Sequence, residues 1–327
     1  MADKITLAYG GGGEETNKLI NELFYKHFNN DILTSAEDAA VVNANGKIAF
    51  TTDSFTVSPL FFNGGNIGKL AIAGTCNDLA MMGAKPEYIS CGFMIEEGLD
   101  FETLEKIVKT MSEELSKVGA KIVCGDTKVV PAGSVDKIFI NTSGIGHIKK
   151  ENISAHNLKK GDVILVSRDI GKHGSVIMAH RYNVETTAQS DCKLLWDEVN
   201  ALIEAGIDIK ALRDATRGGL SAVLNEWANA SDVGIEIEED KVPVSDEVTG
   251  LCEIFGFEPM DLANEGAFIV AVSQNDAKKA EELLKKFNSN ASIIGTVTDG
   301  NRVVLKSPWG SSRYIELPKG ELLPRIC

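Results

Sequence analysis

Five aspartates share a setting of small or apolar neighbours: Asp38 in AEDAAVV, Asp53 in TTDSF, Asp78 in CNDLA, Asp126 in CGDTK and Asp214 in RDATRGG. Any one of them reads as a turn or N-cap residue. Together they suit a hard cation, which takes several oxygen ligands and is shared with substrate phosphates. The other reactive group is the thiol of Cys327, the last residue of the sequence, after ELLPRI. Chain ends ordinarily fray, so a thiol there needs a use that the other residues supply.

Asp78 is the sharpest anomaly. In NIGKLAIAGTCNDLAMMGAKP a helical rotation of ~100° per residue puts Ile67, Leu70, Gly74, Asn77, Asp78 and Met81 on one face. A carboxylate on a stripe that should pack inward is costly unless it binds a cation or accepts hydrogen bonds. Gly74 beside it permits close approach of another element or a ligand. No standard phosphate loop competes. NGGNIGKL has only three residues between Gly64 and Gly68, and Leu70 stands where a hydroxyl should hold magnesium. YGGGG precedes a helix without a strand–loop–helix unit around it, so it is no dinucleotide fingerprint. Its backbone N–H groups still suit phosphate, and a pliable N-terminal lead is the alternative.

These residues must be positioned by alternating strands and helices. KIAFTTDS reads as a strand reaching Asp53, and KIVCGDTKVV as another with Gly125–Asp126 in its middle. Between them DFETLEKIVKTMSEELSKVG is an amphipathic helix, with Leu104, Ile107, Val108, Met111 and Leu115 as its stripe, Asp100 as N-cap and Gly119 as stop. Polar, basic HIKKENISAHNLKKGD marks a boundary near residue 155, and strands and helices alternate again after it. Beyond about Ser307 the pattern fades into SPWGSSRYIELPKGELLPRIC, with three prolines. The expectation is an α/β or α+β protein with one domain over 1–155, a second over 156–307 and a flexible tail over 308–327.

Bulk properties agree. The 327 residues, 43% hydrophobic and 24% charged, suffice for two domains with their own cores. A net charge of −14, from 47 acidic and 33 basic residues without a basic cluster, argues against nucleic acid or an anionic membrane as partner. No apolar run approaches the ~20 residues of a bilayer span, and MADKITLAYGGGG is unlike a secretory signal. A cytoplasmic location is therefore expected. There Cys76, Cys91, Cys124, Cys192 and Cys252 read as reduced, partly buried residues; no two are closer than fifteen positions, which excludes a CxxC site.

The strings EDAAV, TTDSFTVSPLFFNGGNIGKLAIAGTCNDLAMMGAKP, GDTKVV, RDATRGGL and terminal PRIC together resemble the HypE family of hydrogenase maturation factors, carbamoyl dehydratases of the PurM-like ATP-binding superfamily. The resemblance spans essentially the whole chain, and PRIC is its family-specific piece. It implies a two-domain PurM-like α/β fold that dimerises through its N-terminal domains, with ATP sites near that interface. It also implies that Cys327 accepts a carbamoyl group from the transferase HypF. ATP-driven loss of water then leaves a thiocyanate, whose cyano group passes to iron on a HypC–HypD complex.

Residue by residue, the resemblance implies Asp38, Asp53, Asp78, Asp126 and Asp214 as magnesium and nucleotide ligands. Asn77 would support Asp78, Thr127 and Arg217 would meet phosphate, and Gly218 and Gly219 would permit close backbone approach. Lys128 and Glu265 are the candidates for proton transfer; a Glu in a closed apolar pocket gains basicity by desolvation, and either residue reads alternatively as a salt-bridge member. The last twelve residues, Glu316 to Cys327, span on the order of 40 Å when extended, with Pro318 and Pro324 discouraging a helix. That is a tether for the thiol. Lys172 and Ala215 depart from the family pattern, which usually has an acidic residue and Pro there, and His173 and His180 read as structural. Two alternatives remain at this level: a small-molecule kinase of the same superfamily, with no use for Cys327, and a non-catalytic thiol carrier.

Overall fold

The computed structural model describes residues 4–11, 14–35, 39–318 and 325–327. The N-terminal segment packs as two short helices, α1 (Glu14–Leu19) and α2 (Tyr25–Phe28), beside a four-stranded sheet in the order β1-β6-β4-β5. The strands are β1 (Ile48–Phe55), β4 (Ala84–Glu96), β5 (Lys121–Val130) and β6 (Ile138–Ile148), and a small hairpin of β2 (Phe61–Phe62) and β3 (Gly65–Asn66) leads into the first long helix. Helices α3 (Ile67–Met81) and α4 (Phe101–Val118) cover one face of this sheet. The second sheet has seven strands: β7 (Val163–Val166), β8 (Ile209–Asp214), β9 (Gly234–Glu238), β10 (Phe268–Val272), β11 (Ser292–Thr298), β12 (Val303–Lys306) and β13 (Ser312–Tyr314). Their order is β13-β12-β9-β11-β7-β10-β8. Helices α5 (Lys172–Arg181), α6 (Trp196–Glu204), α7 (Gly219–Ser231), α8 (Asp246–Phe255) and α9 (Ala277–Lys285) complete this half. The stretch expected as tail starts inside this sheet, because β13 pairs with β12 and Ile315 is buried.

Helix α4 follows its pattern. Leu104, Ile107, Val108, Met111 and Leu115 are buried, and Gly119 ends the helix at φ 73°. Asp100 occupies the N-cap position but makes no cap; its carboxylate lies 3.4 Å from Lys4 Nζ. Helix α3 behaves differently. It is buried almost all round, capped by Asn66, whose side chain accepts from Gly68 N at 2.9 Å and Lys69 N at 3.1 Å. One flank meets β1 and β6 and another meets β8 and α6. An apolar core runs through it from the first half of the molecule to the second and takes in Ile326. A helix enclosed in this way is apolar all round, so Asp78 stands out by its chemistry more than by its place on a stripe.

Candidate active site

The cleft beside α3 is a cavity of about 610 Å³, and Asp53, Asp78, Asp214, Arg217, Glu265 and Cys327 are among the residues that line it. The three aspartates arrive on regular elements. Asp53 lies near the end of β1, where its carboxylate accepts from Ser54 N at 2.8 Å and its carbonyl from Asn141 Nδ2 at 2.9 Å. Asp78 comes from α3 and accepts from Thr51 Oγ1 at 2.7 Å. Gly74 brings these two elements together: a Cβ there would lie 2.8 Å from the Phe55 ring and 3.7 Å from the Asp53 carboxylate. Asp214 closes β8, and Glu265 sits in the turn before β10.

So many carboxyls in one cleft perturb one another. Burial, then the charge of Asp78, pushes Asp214 up to about 7, with Arg213 opposing. Asp53 and Asp78 are also raised, burial leading in both cases. Glu265 is held well above the usual carboxylate range by burial and then by Asp214, Asp191, Asp53 and Asp78. Its Oε1 is buried with no hydrogen-bond partner among the described residues. A crowd of under-neutralised carboxyls is what a cation and a nucleophile-activating reaction would require.

Cys327 is held there by its own backbone neighbours. Thr56 N donates to the Cys327 carbonyl at 2.9 Å and Ser58 N to the Arg325 carbonyl at 3.3 Å, so the last residues run on from the end of β1. His173 Nε2 bonds the Ile326 carbonyl at 2.7 Å, and Arg181 donates to the Arg325 carbonyl. Arg325 reaches Asp136 at 2.7 Å and stacks over Phe139. Inside, burial and then Glu265 push the Cys327 thiol up to about 12, against the pull of Arg217.

Other expected site residues lie elsewhere. Asp126 and Thr127 line a separate cavity of about 480 Å³ with Phe24, Phe28 and Phe93. Lys128 is exposed and pairs with Asp126 at 3.3 Å. The sheet register runs Asp53–Thr142–Cys91–Gly125. β1 and β5 are thus opposite edges of the sheet, about 14 Å apart at three strand spacings. Asp38 falls outside the described residues, while its neighbours Ala39 and Ala40 line the second cavity. The Asn77 amide is spent on backbone: it donates to Lys193 O at 3.0 Å and accepts from Leu195 N at 2.9 Å. It ties α3 to the second half of the molecule instead of supporting Asp78. Gly218 and Gly219 take φ 78° and 58° at the start of α7, and a Cβ on Gly219 would lie 2.4 Å from the Met260 carbonyl. Their use is a tight turn packed on 260–262; Arg213, Asp214, Thr216 and Arg217 of that motif line the cleft and the two glycines do not.

Among the described residues no three His, Cys, Asp or Glu side chains converge as a ready-made metal cage. The donor set of Asp53, Asp78 and Asp214 nonetheless fits a hard cation that takes one or two carboxylates and fills its shell from phosphates and water. Sequence reasoning missed Thr51, Thr56, Asp191 and the tail-binding use of His173 and Arg181. No local motif marks them, since His173 meets Ile326 across 153 positions.

Comparison with known proteins agrees with this architecture. Residues 36–148 match the model of the AIR synthase related protein, N-terminal domain, and residues 159–307 that of the C-terminal domain. The carbamoyl dehydratase HypE of Escherichia coli (strain K12) is 44% identical, covering 99% of this chain and 100% of that one. A crystal structure of the maturation protein HypE in complex with ATP superimposes with a TM-score of 0.96 at 40% identity, covering 98% of this chain and 99% of the other. A HypE–HypF complex gives 0.81 at 46% identity, covering 92% and 99%. Among the described residues no helix is long and apolar enough to cross a membrane. With its two-domain PurM-like fold, the chain belongs to the HypE family of carbamoyl dehydratases, enzymes of hydrogenase maturation.

Proposed function

We infer that this enzyme converts a carbamoyl group on Cys327 to a thiocyanate at the expense of ATP. The observation that carries the reading is the seat of Cys327, which lines the same cavity as Asp53, Asp78, Asp214 and Glu265. Removing water from S–C(=O)–NH2 within water is unfavourable, so the oxygen must first become a good leaving group. It does so by taking the terminal phosphoryl group of ATP. The oxygen then departs as phosphate, both N–H protons are lost, and S–C≡N remains. Glu265, in the same lining, takes an N–H proton once its own, held by burial, has left. Arg217, also in that lining, would meet the phosphoryl group. Magnesium, taking one or two of Asp53, Asp78 and Asp214 as ligands, would supply charge neutralisation for the phosphates.

The docked sulfur is poorly suited to capturing a carbamoyl group. A thiol pushed up to about 12 carries almost no thiolate at neutral pH. Loading therefore belongs to an undocked tail presented to an external transferase, HypF, and delivery of the cyano group to a HypC–HypD complex follows a second release. Docking then shields the activated intermediate from water.

A homodimer completes the reading. Phe50 and Met94 are exposed large apolar residues on the N-terminal sheet, at 67% and 41%. A second copy packed there, through the 1–155 region, is the arrangement that lets Asp126, Thr127 and Lys128 serve a nucleotide together with the cleft. The test is intact-mass analysis after incubation with HypF, carbamoyl phosphate, ATP and magnesium. A carbamoyl adduct that loses one water, dependent on Cys327 and ATP, supports the reading; an adduct that never loses water sinks it.

A further inference from the structure

One short segment touches both reacting groups. His173 is fully buried on α5, with the edge of its ring toward Phe62 at 5.3 Å. Its Nε2 faces a carbonyl, Ile326 O, and so carries the proton; its Nδ1, 2.8 Å from Ser190 Oγ, accepts from that hydroxyl. Ser190 Oγ in turn accepts from Cys192 N at 3.1 Å, and Ser190 N donates to Asn63 O at 2.8 Å. The next residue, Asp191, faces the other way. Its two carboxylate oxygens accept from Glu265 N at 3.1 Å and Gly266 N at 3.0 Å. The two strands of chain run in contact there, because a Cβ on Gly266 would lie 1.8 Å from the Asp191 carbonyl oxygen.

We propose that Ser190–Asp191–Cys192 is a two-sided positioning clamp, holding the tail through His173 and the Glu265 peptide through Asp191, so that one segment sets the Cys327 sulfur against the Glu265 carboxyl. This rests on the reaction assigned above. The clamp is itself fixed to α3, since Asn77 binds the backbone of Lys193 and Leu195 just beyond it. The helix that presents Asp78 therefore also indexes the other two groups. Misplacement of reacting groups by about 1 Å costs on the order of 100-fold in rate, which is the size of effect such a clamp controls.

The full chain, carbamoylated by the transferase, tests this in single-turnover dehydration at saturating ATP. Two further readouts are alkylation of Cys327 at fixed pH and hydrogen exchange at the Gly266 amide. His173→Leu loads normally, exposes Cys327 to faster alkylation and dehydrates about 10- to 100-fold more slowly. His173→Gln keeps an N–H for the Ile326 carbonyl and recovers most of both losses. Asp191→Ala leaves alkylation unchanged, speeds exchange at Gly266 and slows dehydration on the order of 100-fold, with Asp191→Asn in between. Wild-type dehydration rates in His173→Leu and Asp191→Ala overturn the clamp. So does a His173→Gln variant as slow as His173→Leu, which would make the ring a packing residue only. Failure of the unsubstituted chain to dehydrate its adduct overturns the assigned reaction instead, and alkylation and exchange then still decide whether the two contacts hold tail and turn.

Discussion

The cleft and the far edge of the N-terminal sheet carry equally motif-like residues and are built in opposite ways. In the cleft, Asp214 and Glu265 are nearly inaccessible, and their pKa values are raised by burial and then by neighbouring carboxylates. At the far edge, Asp126 and Lys128 are about two-thirds exposed and merely pair with each other. An exposed pair of this kind contributes ~0–1 kcal/mol to stability, so folding gives no reason for it. The difference teaches that a single chain gathers buried carboxyls around the sulfur and leaves Asp126 and Lys128, which the proposed function assigns to the nucleotide, displayed on a surface.

The largest expected effect breaks the comparison at its root. Cys327→Ala removes the acceptor, so neither carbamoyl adduct nor dehydration should be detected by intact mass. A small-molecule kinase built on the same fold would keep its product formation, and that result would remove the cleft's claim to the thiol.

Next in size are Asp78→Asn and Asp126→Asn, each expected to lower dehydration on the order of 100-fold. They differ in what rescues them. If each site takes its cleft from one copy and its β5 edge from the other, mixing the two inactive variants regenerates one intact site per mixed dimer. That restores about a quarter of wild-type activity at equal mixing. A mixture as inactive as its components would place both residues in the same copy's site and end the two-copy reading.

A smaller effect comes from charge in the cleft. Asp214 has its folded-state pKa raised from 3.8 to about 7. A raised carboxyl binds its proton more tightly in the folded state, so its stabilisation is fully present below the unfolded value near 4 and is lost as pH rises through about 7. Through this group the nucleotide-free protein should therefore be less stable at pH 8 than near pH 4, with a ceiling of about 4 kcal/mol from three pKa units. Asp214→Asn should raise its melting temperature at pH 8 and leave it nearly unchanged near pH 4. Equal shifts at both pH values would show that packing, and not ionisation, is responsible.

The same contrast explains what could be read from residues in order. Helix α4 was legible because one side faces a sheet and the other faces water, which prints a period into the sequence. Helix α3 is enclosed between sheet and second half, so its stripe carried little information, and what betrayed it was Asp78. The cleft aspartates were legible as motifs because each sits at an element end with small neighbours. Their grouping was not, for Asp53 and Asp126 look alike in sequence and are separated by the strand order β1-β6-β4-β5. His173 and Asp191 were opaque for a different reason: their work is done on backbone groups of residues 326, 265 and 266, and backbone carries no sequence signal.

The smallest effect tests the joint between the two regions. Gly74 lets α3 and β1 touch, and an added methyl would sit 2.8 Å from Cζ and 2.9 Å from Cε1 of Phe55. Overpacking of this kind costs ~1–3 kcal/mol, from which the better helix propensity of alanine subtracts about 1. Gly74→Ala should thus lose about 0–2 kcal/mol in denaturant unfolding, and Phe55→Leu in the same chain should recover part of it by clearing the ring. Because β1 carries Asp53 and the segment that receives the tail, the strand displaced by that methyl should also slow dehydration more than it slows carbamoyl loading. A Gly74→Ala chain that is more stable than wild type, or equally slowed in both steps, would mean that the spacing of α3 and β1 is set by the rest of the core and not by the missing side chain.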